Sequence, residues 1–357
     1  MKEKIASNSF LSMIILSIIS SSIGISMYTV IKTSSIDCYI SILIGELLGL
    51  IPLFIFIYIF NNYEDLSIKE KNILVFNKIL GTIINIILFI LFFILSGTII
   101  FNLGNFIVSQ YLSETPLLLI MVVLGITISY TINKGIETIS RVSSIFIVIV
   151  FILFIFSFCY LFNEANINNL KPFLEYGLKN PIKGGLINSV ITTSPLYALL
   201  IIPKNKIIGK INLTKKIILS YLVSSSIIFL ISLLSTSILG KYLLNIYQYP
   251  GYISIKKISI FSFIDRIENF MSLHWILSCF ITISITTYYL SGSIKKVSNK
   301  IVNYLLVIII ILISFYYFRN NTYFTHYIYY AYPYISLILL IIHFIILIKI
   351  YMYKKRN

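Results

Sequence analysis

The alternation of apolar and polar positions along the chain is coarse. Long apolar runs near residues 10–31, 38–60, 80–108, 116–133, 143–162, 185–202, 217–239, 270–291, 301–318 and 333–351 are separated by short polar connections. Within most runs the apolar residues surround the helix instead of forming one stripe, the pattern of a helix with lipid or other helices on every side. About 20 such residues cross about 30 Å of hydrocarbon, so each run is read as a crossing. The expected fold is an all-α polytopic membrane protein of ten transmembrane helices, one domain over residues 1–357. The first run is long and precedes no small-residue cleavage pattern, so it is expected to be a helix and not a removed leader.

Composition strengthens this picture. The 357 residues are 58% hydrophobic and 11% charged, with mean hydropathy +0.96, against about 25% charged in ordinary soluble domains. The net charge of +16 is not a stripe for nucleic acid, because Lys and Arg sit in clusters between the apolar runs. With the N-terminus inside, roughly two-thirds of them fall on the cytoplasmic side, as the positive-inside rule requires. An even number of crossings then puts both termini in the cytoplasm. Two outer connections, 163–184 and 240–269, are long, and are read either as covers over the mouth of a central site or as plain linkers.

Ten crossings divide into halves at about 10–162 and 185–351. Five being odd, the second half enters with the opposite orientation, the parity of a 5+5 inverted repeat. Transporters of that design interrupt the lead helix of each half and bind ligand at the breaks. Ser20, Ser21, Ser22, Ile23 and Gly24 form a weak helix-forming run inside the first span, which predicts a break there or a tightly packed small-residue face. Thr192, Thr193, Ser194 and Pro195 predict a second kink in the sixth span, since proline lacks an N–H and crowds the preceding turn. The candidate ligand-binding residues are Ser21, Ser22 and Gly24; Thr193, Ser194 and Tyr197; Asn102 and Asn105 on one face of the third span, with Ser109 on the same face; and Thr282 and Thr286 on the eighth. The polar stripes serve equally well as interhelical hydrogen-bond partners.

Glu46 lies deep inside the second span beside Gly45 and Gly49. An intramembrane carboxylate is a candidate proton or charge site, or a neutral group bonded to a neighbouring helix. His343 reads as a packed histidine. Cys38, Cys159 and Cys279 lack disulfide or zinc spacing. No P-loop, GxSxG, HExxH or dinucleotide fingerprint occurs; neither enzymatic activity, a cofactor nor a metal is expected.

Several motifs in order along the chain resemble the permease-like B-subunit of the spore germinant receptors of endospore-forming bacteria, within the amino acid/polyamine/organocation superfamily. They are Ser21 to Gly24, the FNKILG stretch from Phe76 to Gly81, Thr115-Pro116, Gly135-Ile136-Glu137 with Arg141, the LKPFLEYG stretch from Leu170 to Gly177, and Arg266, Glu268 and Trp275. The chain departs from that pattern in having no acidic residue in the sixth span and no proline in the first cytoplasmic loop. The resemblance implies a broken-helix amino acid transporter-like fold in the spore inner membrane. It also implies a small germinant, such as an amino acid, held between spans one, three, six and eight, and partners of A type and lipoprotein C type. A secondary transporter for amino acids or related amines is the alternative, and a structural scaffold the third reading.

Overall fold

The computed structural model describes residues 4–175, 177–257, 268–294 and 300–356. Lys2, Tyr176, Arg266, Lys295 and Lys296, used above in the charge count or the motifs, lie outside the described residues, as does part of the 240–269 connection.

Fifteen α-helices carry the described chain. They are α1 (Ser7–Ser21), α2 (Met27–Ser34), α3 (Cys38–Leu48), α4 (Leu50–Asn61), α5 (Ile68–Phe76), α6 (Lys78–Gln110), α7 (Leu117–Asn133) and α8 (Ile136–Asn163), then α9 (Lys179–Thr193), α10 (Leu213–Ile246), α11 (Pro250–Lys257), α12 (Glu268–Ser293), α13 (Lys300–Phe318), α14 (Asn321–Tyr330) and α15 (Tyr332–Arg356). A two-residue parallel pairing joins β1 (Ile5–Ala6) to β2 (Ile207–Ile208). Eight helical stretches are long and apolar enough to cross a membrane; the first, Ser7–Asn61, runs 55 residues through α1 to α4, and α7 is apolar but shorter. Large side chains such as Ile83, Ile90, Leu305, Ile309, Tyr316 and Ile341 stay exposed on α6, α13 and α15. In water such a surface would aggregate, and in a bilayer it is solvated. The chain is an integral membrane protein.

Hydrogen bonds sort the connections onto two faces. On one, β1 meets β2, Lys69 donates to the Gly292 carbonyl, Asn303 to Asn133 and Lys354 to Asn62. On the other, Lys32 donates to the Asn245 carbonyl, the Leu174 N–H to Asp37 and Asn105 to Asn321. Both described ends therefore lie on one face, called here the terminal face.

The FNKILG stretch has a mechanical role. Asn77 turns left-handed at φ 79 and its side chain accepts the Ile79 and Leu80 N–H groups, capping α6. A Cβ on Gly81 would lie 2.6 Å from the Asn72 carbonyl oxygen, so only glycine lets α5 lie flat on α6. The helix α5, which the apolar pattern left within a loop, starts with a capping box between Ser67 and Glu70. Pro116, and not Thr115, holds the cap position of α7, its carbonyl accepting from Leu119 N–H at 3.0 Å.

Lys71 on α5 is 2% exposed and donates to the Ile59 carbonyl at 2.8 Å, a last-turn carbonyl of α4. Burial, opposed by the Glu64 charge, lowers its pKa to about 8 from the ordinary 10.5. The unfolded chain holds this proton up to about 10.5 and the folded chain releases it near 8, so the unfolded state binds more protons between those values. Stability gained from this group therefore rises as pH is raised through that window. The unfolding temperature of purified protein is expected to rise from pH 7.5 to 9.5 relative to Lys71→Met, which lacks the titrating group.

The tightest crossing is α3 on α9. A Cβ on Gly45 would meet the Gly185 carbonyl oxygen at 2.7 Å, and one on Gly185 would meet the Ser41 carbonyl oxygen at 3.0 Å. Gly185→Val must part these backbones, at about 1–3 kcal/mol or more for overpacking. The expected result is a large loss of monodisperse protein on size exclusion, with Leu186→Val, on the exposed side of α9, unaffected.

Candidate functional site

The first span breaks where its serines and glycine predicted. Ile23 is extended (ψ 130) and Gly24 left-handed (φ 75), and the helix resumes as α2. The serine hydroxyls bond backward: Ser20 to the Ser17 carbonyl, Ser21 to Ile18 and Ser22 to Ile19. They add hydrogen bonds to the carbonyls at the end of α1, where the helix stops. The Ser20 carbonyl accepts from Trp275 Nε1 at 3.0 Å, and Thr282 donates to the Ser20 hydroxyl at 2.7 Å, so α12 braces the break.

Gly24 itself is covered by a ring. A Cβ there would lie 2.5 Å from Tyr249 Cε1 and 3.1 Å from Asn102 Nδ2. The Tyr249 hydroxyl donates to Asn102 Oδ1 at 3.2 Å and accepts from Asn105 Nδ2 at 3.2 Å. Phe106 packs on both Tyr249 and Trp275, with centroids at 4.9 and 4.8 Å. Tyr249 enters from the connection between α10 and α11. It went unnoticed in the sequence because a tyrosine in a long loop carries no periodic signal.

Of the ten candidate ligand-binding residues, the fold brings Ser21, Ser22, Gly24, Asn102, Asn105 and Thr282 to or beside this break. Thr286 sits one turn further along α12 and accepts from Ser96 of α6 at 2.9 Å. The second half behaves differently. The α-helix α9 ends at Thr193 and the chain continues as a tighter helical winding from Ser194 to Ile201, with Pro195 at its start. Thr193 and Ser194 bond back to the Ser189 and Ile191 carbonyls. Tyr197 packs between α4 and α15, donating to the Pro52 carbonyl at 2.9 Å and stacking on His343 at 4.0 Å. His343 is thus a packed ring, its Nδ1 2.8 Å from the Leu339 carbonyl. The helix changes its winding at the expected place while its backbone stays helical, and its candidate side chains bond to backbone and to other spans.

A second polar cluster starts two residues past the break. Ser26 donates to Asn188 Oδ1 at 2.6 Å, and Asn188 Nδ2 donates to Glu46 Oε1 at 3.0 Å. Glu46 Oε2 accepts from Ser225 at 2.5 Å and Tyr221 at 3.2 Å, and the Tyr221 hydroxyl also donates to the Glu46 carbonyl at 2.7 Å. Glu46 is 6% exposed, and among the described residues it makes no ion pair. The glycines beside it admit these partners: a Cβ on Gly49 would collide with the Tyr221 hydroxyl, and one on Gly45 with Asn188. Asn188, Tyr221 and Ser225 were not singled out in the sequence. Tyr221 and Ser225 are spaced i, i+4 on α10, a signal that was legible.

Known proteins resemble this chain along most of its length. The family model described as spore germination protein, the spore permease family, matches residues 4–325. The chain belongs to this family of spore germination proteins. Among its relatives are spore germination protein XB of Bacillus anthracis, 25% identical over 61% of this chain and 62% of the relative, and spore germination protein YndE of Bacillus subtilis, 28% identical over 75% and 74%. Spore germination protein KB of Bacillus subtilis is 22% identical over 71% of this chain and 68% of its own. The match to XB thus spans less than two-thirds of that relative's length. The family-like stretch LKPFLEYG also acquires a structural role, since the Leu174 N–H donates to Asp37 Oδ1 at 3.1 Å and Glu175 pairs with Lys241 at 3.2 Å.

Proposed function

We propose that this protein is the membrane-embedded, germinant-sensing subunit of a spore germination receptor. In this reading it binds a small germinant, such as an amino acid, at the Gly24 break. The observation that carries this is the break itself: a left-handed glycine in the middle of the first span, roofed by Tyr249 and flanked by Asn102, Ser20 and Trp275. Interrupted lead helices place free backbone groups where small polar ligands bind.

The proposed topology is ten crossings in a 5+5 inverted repeat. The Ser7–Asn61 stretch would supply two, joined near Ser35, and α7 would add a tenth to the remaining seven long helices. The alternation of connections between two faces supports it, and the Lys and Arg excess on the terminal face supports cytoplasmic termini. The setting is the spore inner membrane, with A-type and lipoprotein C-type subunits as partners.

Deleting the gene and screening spores against single amino acids tests the reading: at least one amino acid response is expected to disappear and to return with the intact gene. Unchanged responses across the screen would refute it. A secondary transporter for amino acids or amines is the second reading, favoured by the buried Glu46 cluster that links the segment before α2 to α3, α9 and α10. Ion-driven accumulation in vesicles holding this protein alone would establish that reading instead.

A further inference from the structure

On the face opposite the termini, a cavity of ≈ 310 Å³ lies against Tyr249. Its lining includes Tyr28 of α2, Ser109 of α6, Gln248 and Tyr249 of the connection, and Asn321 and Thr325 of α14. That volume is at the small end of ligand pockets, which run from about 300 to 1,000 Å³. Among the described residues no charged side chain lines it; the cavity offers amides, hydroxyls and aromatic faces, with Ile246 and Ile253 as its aliphatic part. Tyr249 belongs both to this lining and to the roof over Gly24, which makes its ring the partition between cavity and break.

The hydrogen bonds at this partition are incomplete. Gln248 is 9% exposed and Asn102 fully buried, and the two amides meet at 3.4 Å through Gln248 Nε2 and Asn102 Oδ1. Asn102 Nδ2 and Gln248 Oε1 have no partner. Turning both amides over exchanges the labels but still leaves one donor and one acceptor open. A donor and an acceptor buried without partners cost free energy. A molecule that supplies both complements would recover that free energy. Both free atoms are buried in this arrangement.

Resting on the ligand-sensing reading above, we propose that this cavity is the outer half of the ligand site. A net-neutral small molecule carrying both a donor and an acceptor, of the zwitterionic amino acid class, completes the open bonds of Gln248 and Asn102 and displaces Tyr249 from Gly24. Gln248 is then the specificity-determining residue. The Tyr249 hydroxyl, held by Asn102 and Asn105, occupies the place the ligand takes. Neutrality follows from the lining: an extra ammonium or carboxylate would lose its water without gaining a counter-charge.

The chain supplies its own reporter. Trp275 is its single tryptophan and lies 5.7 Å from the Tyr249 ring, so departure of that ring changes its emission. Full-length protein in lipid nanodiscs would be titrated with L-serine, L-asparagine, L-lysine and L-glutamate. The neutral pair is expected to give a saturable change in Trp275 emission, at concentrations at least tenfold lower than the charged pair. Gln248→Leu is expected to weaken the neutral response about tenfold with the same final amplitude. Gln248→Glu is expected to invert the preference toward L-lysine, a gain that a misfolded protein cannot produce. A saturable change of equal affinity in wild type, Gln248→Leu and Gln248→Glu would overturn the outer site and leave the sensing reading standing. Silence of Trp275 toward all four, with spores still responding to one of them through this gene, would do the same. Silence of both nanodiscs and spores across the amino acid screen would overturn the two readings together.

Discussion

Gly24→Ala is expected to lower the unfolding temperature and to abolish the germination response assigned to this gene. Two independent costs meet at the one methyl group. Gly24 has φ 75, a left-handed conformation that costs a residue with a Cβ about 1–2 kcal/mol. The added carbon would also stand 2.5 Å from Tyr249 Cε1 and 3.1 Å from Asn102 Nδ2, an overlap that forces the ring or the helix aside at roughly 1–3 kcal/mol. The two costs are separable. In the Gly24→Ala, Tyr249→Ala pair the overlap with the ring disappears while the backbone term and the Asn102 contact remain, so the double variant is expected to be more stable than the sum of the single changes predicts. Thermal unfolding of the four proteins of the cycle measures this coupling. A strictly additive cycle would show that Tyr249 does not press on Gly24.

Glu46→Ala is expected to have the second-largest effect, and on stability more than on ligand preference. Removing the carboxylate leaves Asn188 Nδ2 and the Ser225 hydroxyl without an acceptor inside the bundle, while Tyr221 keeps the Glu46 carbonyl. At about 1–3 kcal/mol for each orphaned donor, the protein should lose many degrees of unfolding temperature and most of its yield. Glu46→Gln separates acceptor from charge. Its amide oxygen can still accept from Asn188, and the hydroxyls of Ser225 and Tyr221 can turn to accept its N–H groups. The expected result is near-native stability and a retained germination response, because a sensing role needs the cluster intact and not a proton moved. Near-native unfolding with the response lost would assign Glu46 a proton or charge function.

Much of the fold was legible because membrane helices obey a short set of physical demands. In hydrocarbon every backbone N–H and C=O must be bonded within the segment, so long apolar runs could only be helices, and their positions match the observed α6, α8, α10, α12, α13 and α15 to within several residues. The short helices α5, α11 and α14 were missed. They lie in mixed polar segments where hydropathy has no period to report; Ser67 caps α5 and Asn320 caps α14, and the bundle gives all three a surface. The break at Ile23-Gly24 was readable from local chemistry, since serines and a glycine in an isoleucine-rich helix weaken it at one place. The tight winding after Thr193 was likewise signalled by Pro195.

The surroundings of the first break were legible in part. Asn102 and Asn105 share a face by spacing alone, and that spacing places both on the Tyr249 hydroxyl. Spacing within one helix says nothing about which loop residue descends from more than a hundred positions away, and Tyr249 and Gln248 were invisible for that reason; Asn188, inside α9, meets Glu46 only through the crossing of two helices. Thr193, Ser194 and Tyr197 looked equivalent to Ser21, Ser22 and Gly24 by position in their half. Their hydroxyls are taken up by the Ser189, Ile191 and Pro52 carbonyls.

By itself the sequence determined the solvent, the long helices, the place of the first break and the separation of connections into a basic face and a less basic one. These follow from interactions within a single segment or between a segment and its lipid or water, whose free energies depend on local composition. Tertiary structure alone decided that Tyr249 roofs Gly24, that Asn188 and Tyr221 meet Glu46, and that a cavity remains outside the ring. Those contacts join residues far apart in the chain, and their energies depend on how closely glycine-lined helices approach, which no single helix encodes.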